Sequence, residues 1–361
     1  MSVNERPTGS RPAWRDVRGY MNGHRHDLAR VAGRFHDGYR RVGATPLLTR
    51  EDWLLNEPLP LDRVTLKWSD QAPSPVVTGE EPEARPALPE DSANYSEAIA
   101  RHDRPALFEN RPCYRLLDVS WPTLSFTGGS YFDGVNVGET AAHELASARL
   151  LHEERLPFRS LVGDPTDLSR RVVLPAVSML TLRQDRTGDM TFVLHWRDPA
   201  KVAHAGGLYQ VMPVGVFQQI SAASSSQDFD LWKGMAREYS EEFLGRSEVY
   251  GEAFSYGSWP FYRRMEQVKA DGRLRSFVLG LGIDPLTFAA DILAVTVIEA
   301  EVFDELFEDI VNDNDEGRVV EVAGIPFQAD QVSRYVHHEP IQAAGAAVLD
   351  LAWQHRQNLT P

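Results

Sequence analysis

Residues 235–245 read MAREYSEEFLG and crowd three carboxylates, Glu238, Glu241 and Glu242, beside one cation, Arg237. Like charges three and four residues apart weaken a helix. Something must offset their repulsion, or water must screen it. Oxygen-only donors at this density suit a hard divalent cation, Mg2+ or Mn2+. The competing reading is a solvated acidic face on a surface helix. Arg237 either holds Glu238 in place or neutralises part of the cluster.

The element that carries these groups is a helix. Asp228 or Asp230 can cap a helix running from about 231 to 244, and Gly245 suits the left-handed stop position. Glu238, Glu241 and Glu242 then share one face. Trp232, Met235, Tyr239 and Phe243 fall opposite, at core spacing.

The ordered string REYSEEFLG resembles the Nudix box, whose core reads R-E-apolar-x-E-E-x-G. Arg237, Glu238, Tyr239, Glu241 and Glu242 match it, and Gly245 stands one residue late. The upstream half departs. Gly215, in MPVGVFQQ, is the equivalent of the box glycine, but it precedes Arg237 by 22 residues, farther than the family's G-x5-E-x7-R spacing. Ser221 stands where that spacing puts a glutamate. The resemblance covers roughly 176–361. The whole chain is also similar to long Nudix-like proteins of actinobacteria, some of which carry an added helix-turn-helix and are classed as regulators.

The resemblance implies a fold and a set of roles. The fold is α/β (α+β): a Nudix-like α/β/α sandwich with a mixed sheet, plus a large N-terminal helical and β extension. Glu241 and Glu242 would hold the cation, with Glu238 as a further ligand or base oriented by Arg237. The carbonyl of Gly215 would complete the coordination. Glu316 would join from a later loop, with Glu299 as second choice. The ligand implied is a small phosphorylated molecule, a nucleoside diphosphate derivative. Its inert diphosphate becomes reactive when cations offset its charge and a carboxylate takes a proton from the attacking water. The aromatic rings of Tyr209, Phe217, Trp259 and Tyr262 are candidates to stack a base, each against a core role. Arg197 and Lys201 are candidates for phosphate, against plain surface charge. Two further readings stay open: a Nudix-like nucleotide-ligand sensor without turnover, and a scaffold.

The rest of the chain bounds these readings. Its 361 residues are 42% hydrophobic and 25% charged, with a net charge of −15. That balance argues against nucleic acid as a general partner. One cysteine, Cys113, rules out an internal disulfide framework and a cysteine-based zinc site. His195, His204, His337 and His338 have no metal-ligand spacing, and Ser224–Ser226 have no nucleophile context. No apolar run is long enough for a membrane span, and the opening MSVNERPTGSRPAW lacks a signal-peptide core. The expectation is a cytoplasmic protein, compatible with a homodimer.

Three stretches are expected. Residues 1–110 form a helical extension with a Pro/Glu-rich linker or surface loop at 69–92. Residues 111–175 form a β/α segment with a Gly128-Gly129 turn. Residues 176–361 form the Nudix-like domain, opening on a hairpin about Arg186–Asp189. Residues 1–41 carry nine arginines against four acids, read either as a patch for an acidic partner or as a helix face docked on an acidic body.

Overall fold

The computed structural model describes residues 13–105, 108–197, 207–220, 225–246, 254–310 and 317–360. Helices α1 (Trp14–Gly23) and α2 (Arg25–Arg34) open it, separated at His24. There follow β1 (Arg40–Arg41), β2 (Leu48–Thr49), β3 (Leu54–Pro60), β4 (Thr65–Trp68), α3 (Tyr95–His102), β5 (Pro112–Ser120), β6 (Thr123–Ser130), α4 (Tyr131–Leu151) and α5 (Pro157–Val162). The second half runs β7 (Pro175–Gln184), β8 (Met190–Arg197), β9 (Tyr209–Val211), β10 (Val214–Val216), α6 (Ser225–Asp228), α7 (Leu231–Glu238) and α8 (Pro260–Ala270). It closes with β11 (Leu274–Ile283), β12 (Ala290–Glu299), α9 (Ala300–Leu306), β13 (Gly317–Pro326), α10 (Ala329–His337) and α11 (Ala343–Gln354).

The main sheet runs β1-β2-β11-β12-β7-β8-β13, with β3 on β11, β10 on β7 and β9 on β8. It is mixed. β12 lies parallel to β7, from Ala290 opposite Pro175 to Glu299 opposite Gln184, while β7 and β8 form an antiparallel hairpin. The hairpin turns where the sequence predicts, because the Asp185 carboxylate accepts from the Thr187 and Asp189 amides. A second, three-stranded sheet has the order β4-β6-β5.

Side-chain alternation gives the main sheet two buried faces. Val177, Met179, Ile292, Ala294 and Ile298 pack with Met235, Tyr239 and Phe243, with Met265 of α8, and with Leu116 and Phe126 of the small sheet. Leu180, Leu182, Leu293, Val295 and Val297 point the other way, onto α10 and α11. The architecture is therefore α+β, a mixed sheet with helices on both faces. Strands from the first 60 residues complete it, since β2 and β3 pair with β11.

Two local expectations are corrected. Gly128 and Gly129 lie inside β6, and the chain reverses instead at Trp121-Pro122. The stretch 69–92 is a surface loop anchored at buried Val77, Ala84 and Ala87 rather than a free linker. The arginine-rich opening docks on acids. Arg18 meets Asp103 at 2.6 Å and Glu139 at 3.2 Å, and Arg25 meets the same Glu139 oxygen at 2.7 Å. All but Asp103 are buried.

Candidate functional site

The acidic helix begins where Asp230 accepts from the Lys233 amide at 3.1 Å, and the chain stops at Gly245 with φ +61°. Its course differs from the single regular helix that spacing predicts. α7 ends at Glu238, and Tyr239–Phe243 wind as one wider π turn. Such turns shift every later side chain around the axis. Two core aromatics pin this one. The Tyr239 hydroxyl lies 2.8 Å from Thr181 Oγ1, and the Phe243 ring packs 4.6 Å from Phe307.

Two of the three carboxylates meet one short piece of backbone. Glu242 is buried, and its Oε1 accepts from the Val214 amide at 3.1 Å. Glu238, half-buried, lies against Gly215 so closely that a Cβ there would overlap its carboxyl group. β10 holds both backbone positions in place, with Val214 opposite Ser178 and Gly215 opposite Val177. Glu241 is half-buried on the same π turn. Arg237 is buried and donates from Nη2 to the Gln218 carbonyl at 2.8 Å. It thereby ties α7 to the segment that follows β10.

A second buried tie holds the loops. Asp228 is fully buried; its Oδ2 accepts from the Ile220 amide and its Oδ1 from the Tyr256 hydroxyl, each at 2.8 Å. Burial pushes the Tyr256 hydroxyl well above its usual range. The sequence read Asp228 only as a cap. The backbone partners, Val214 N–H and Gln218 C=O, carried no sequence signal at all.

The remaining predicted residues scatter. Phe217 is a core residue, not a platform, packed 4.5 Å from Tyr114 and 5.4 Å from Phe126. Tyr209 sits on the α10–α11 face between Trp196 and Tyr335. Arg197 ends β8 and donates to Gln210 Oε1 at 3.3 Å. Trp259 and Tyr262 join an aromatic group about Tyr256. Glu299 pairs with Arg273 at 2.6 Å. It stands opposite Gln184, whereas Gly215 stands opposite Val177, seven positions or about 23 Å away along β7. Glu299 is therefore not part of the acidic turn. Glu316, Lys201, His204 and Ser224 lie outside the described residues. His195 is buried, and His337 and His338 sit side by side at the end of α10.

Among the described residues, no group of three or more His, Cys, Asp or Glu side chains is gathered closely enough to hold a metal ion. What the acidic turn does offer is carboxylate oxygen from Glu238 and Glu242 beside the backbone of 214–215, with Glu241 adjacent. These are oxygen donors, the kind a hard cation prefers to a soft one, but they are not gathered around one point. A cavity of about 250 Å3, lined by Pro86, Glu144, Ser147, Arg155 and Pro157 among others, lies on the α4–α5 side and contains none of these residues. No helix among the described residues is long and apolar enough to cross a membrane. No family model matches the chain, and no curated protein matches it.

Proposed function

We propose that the chain is a Mg2+- or Mn2+-dependent, Nudix-type hydrolase that cleaves a diphosphate linkage in a nucleoside diphosphate derivative. The single observation that carries this reading is the meeting of Gly215 with Glu238. The box-like string places Glu238, and only the fold can bring the distant glycine to it. A structural acidic face has no need of that contact.

In this reading Glu241 and Glu242 would hold the cation with the carbonyl of Gly215, and Glu238 would serve as a further ligand or as the base. A cation held there would supply charge neutralisation of the diphosphate. The chain's own groups do the rest. Arg237, fixed on the Gln218 carbonyl, sets the end of α7 from which Glu238 projects. Glu238 accepts the proton of the attacking water. The water oxygen forms the new bond to phosphorus, and the bridging oxygen leaves with the bonding electrons. The Val214 amide holds Glu242 in one rotamer, so part of the geometry is organised before ligand arrives.

A second reading is a ligand sensor without turnover. It is favoured by the lack of a compact three-acid group among the described residues.

The test is phosphate or nucleotide release from a panel of nucleoside diphosphate derivatives with Mg2+ or Mn2+, wild type against Glu241→Gln. Turnover lost in the variant supports the hydrolase. No turnover, with metal-dependent melting shifts for one ligand, supports the sensor. Silence in both overturns the two readings together.

A further inference from the structure

We propose that Arg115, on the outer face of the three-stranded sheet, is an anion-binding residue. The Nε and Nη2 edge of its guanidinium takes two oxygens of a phosphoryl or carboxylate group, which enters beneath the loop 71–75. The inference does not depend on the reading of the acidic turn.

Arg115 lies within β5 and is 5% exposed. Tyr114 and Leu116, on either side, point into the core, so Arg115 points to the opposite face. Its Nη1 donates to the Pro73 carbonyl at 2.9 Å. Nε and Nη2 are buried and have no hydrogen-bond partner among the described residues. No other described arginine leaves two buried nitrogens in that state. Asp133 acts on the charge from a distance, but its carboxylate accepts from the Ser130 amide at 2.8 Å. A buried cation without its counter-charge is strongly unfavourable, and a buried donor without an acceptor adds to the cost.

The same edge has a clear use elsewhere in this chain. Arg183 grips Asp304 through Nε and Nη2 at 2.8 and 2.7 Å. Arg264 grips Glu305 through the same two nitrogens at 2.7 and 2.6 Å. Two parallel N–H groups match two oxygens of one carboxylate or phosphate. Those two pairs are exposed, whereas the Arg115 edge is desolvated, where a charge-assisted pair is stronger. Thr127 stands directly opposite Arg115 across the ladder to β6 and puts a hydroxyl on the same face. Val172 and Leu174 close on the neighbouring Gly129 and keep the surroundings apolar.

The way in is the loop 71–75. Gln71, Ala72, Pro73 and Ser74 are exposed. Apart from local bonds to Ser69, the loop makes one hydrogen bond to the rest of the described fold, the one from Arg115 to Pro73. Its ends are fixed by the Ser69 amide on the Phe126 carbonyl and the Val76 amide on the Arg170 carbonyl. The loop can therefore lift and close again without disturbing either sheet.

The experiment is thermal melting and calorimetric titration of the full chain in EDTA, with sodium phosphate, sodium acetate or sodium chloride at equal ionic strength. EDTA excludes binding through a divalent cation at the acidic turn. The proteins are wild type, Arg115→Met and Arg115→Lys. Methionine removes the charge and lysine keeps it but loses the fork; melting in chloride checks that each folds, and either variant alone suffices. Phosphate or acetate, but not chloride, is expected to bind wild type saturably and raise its melting temperature. Each variant is expected to bind at least tenfold more weakly. Response to phosphate alone assigns a phosphoryl ligand, and response to acetate alone a carboxylate. A wild type that responds equally to all three salts overturns the site. So does a folded variant that binds the oxyanion as tightly as wild type.

Discussion

The carboxyl group of Glu238 lies against the backbone of Gly215, on a strand 23 residues earlier, with no room between them for a Cβ. The neighbouring contact, from Glu242 to the Val214 amide, fixes the same strand to the same turn. These two contacts tie the acidic string to one short strand.

Gly215→Ala tests the first contact without dismantling the fold. The added methyl meets the end of a flexible side chain rather than backbone. Glu238 can swing aside. Melting temperature is expected to stay near wild type, while divalent-cation affinity falls at least tenfold. Equal affinity in the alanine variant would separate Gly215 from the site.

Glu139→Ala addresses the docking of the N-terminal helices. One carboxylate oxygen serves both Arg18 and Arg25, and all three groups are buried. Removing it takes the shared carboxylate from two buried guanidiniums, leaving Asp103 to Arg18 and the Asn22 side-chain oxygen to Arg25. The expected loss is about 3–5 kcal/mol by chemical denaturation. A loss below about 1 kcal/mol, the scale of an exposed pair, would mean that the helices dock on apolar contacts alone.

Asp291 gives a pH signature. Burial pushes its carboxyl up to about 7, with the Ser178 hydroxyl opposing the shift and Asp284 adding to it. Ser178 donates to it at 2.8 Å. The folded state then binds more protons than the unfolded chain between about pH 4 and pH 7. Stability from this group therefore falls as pH rises through that window and levels off above 7. Asp291→Asn removes the effect. Urea midpoints for the two proteins are expected to differ most above pH 7, with the variant higher, and to converge near pH 4. Parallel pH curves would contradict this.

Asp230→Ala removes the N-cap of α7. A loss of about 1 kcal/mol is expected, with weaker cation binding, because the acidic turn hangs from that helix.

The sequence carried the local part of this structure well. Asp230, Gly245 and the apolar spacing of Trp232, Met235, Tyr239 and Phe243 marked both ends and the buried side of the acidic segment. The π turn was not legible, because it depends on Tyr239 finding Thr181, 58 residues away. The same holds for Phe217. Its neighbours, Tyr114 and Phe229, lie on other elements, so an exposed and a buried ring read alike in the string. The pairing of β2 and β3 with β11 joins residues more than 200 positions apart, where short strands leave no register signal.

The most direct test of the site is Mn2+ binding followed by electron paramagnetic resonance on wild type, Glu238→Gln and Glu242→Gln. The account predicts saturable binding in wild type that weakens at least tenfold in each variant, with all three proteins folded. Wild type that leaves Mn2+ free, or variants that bind it equally well, would contradict the claim that this acidic turn is a cation site.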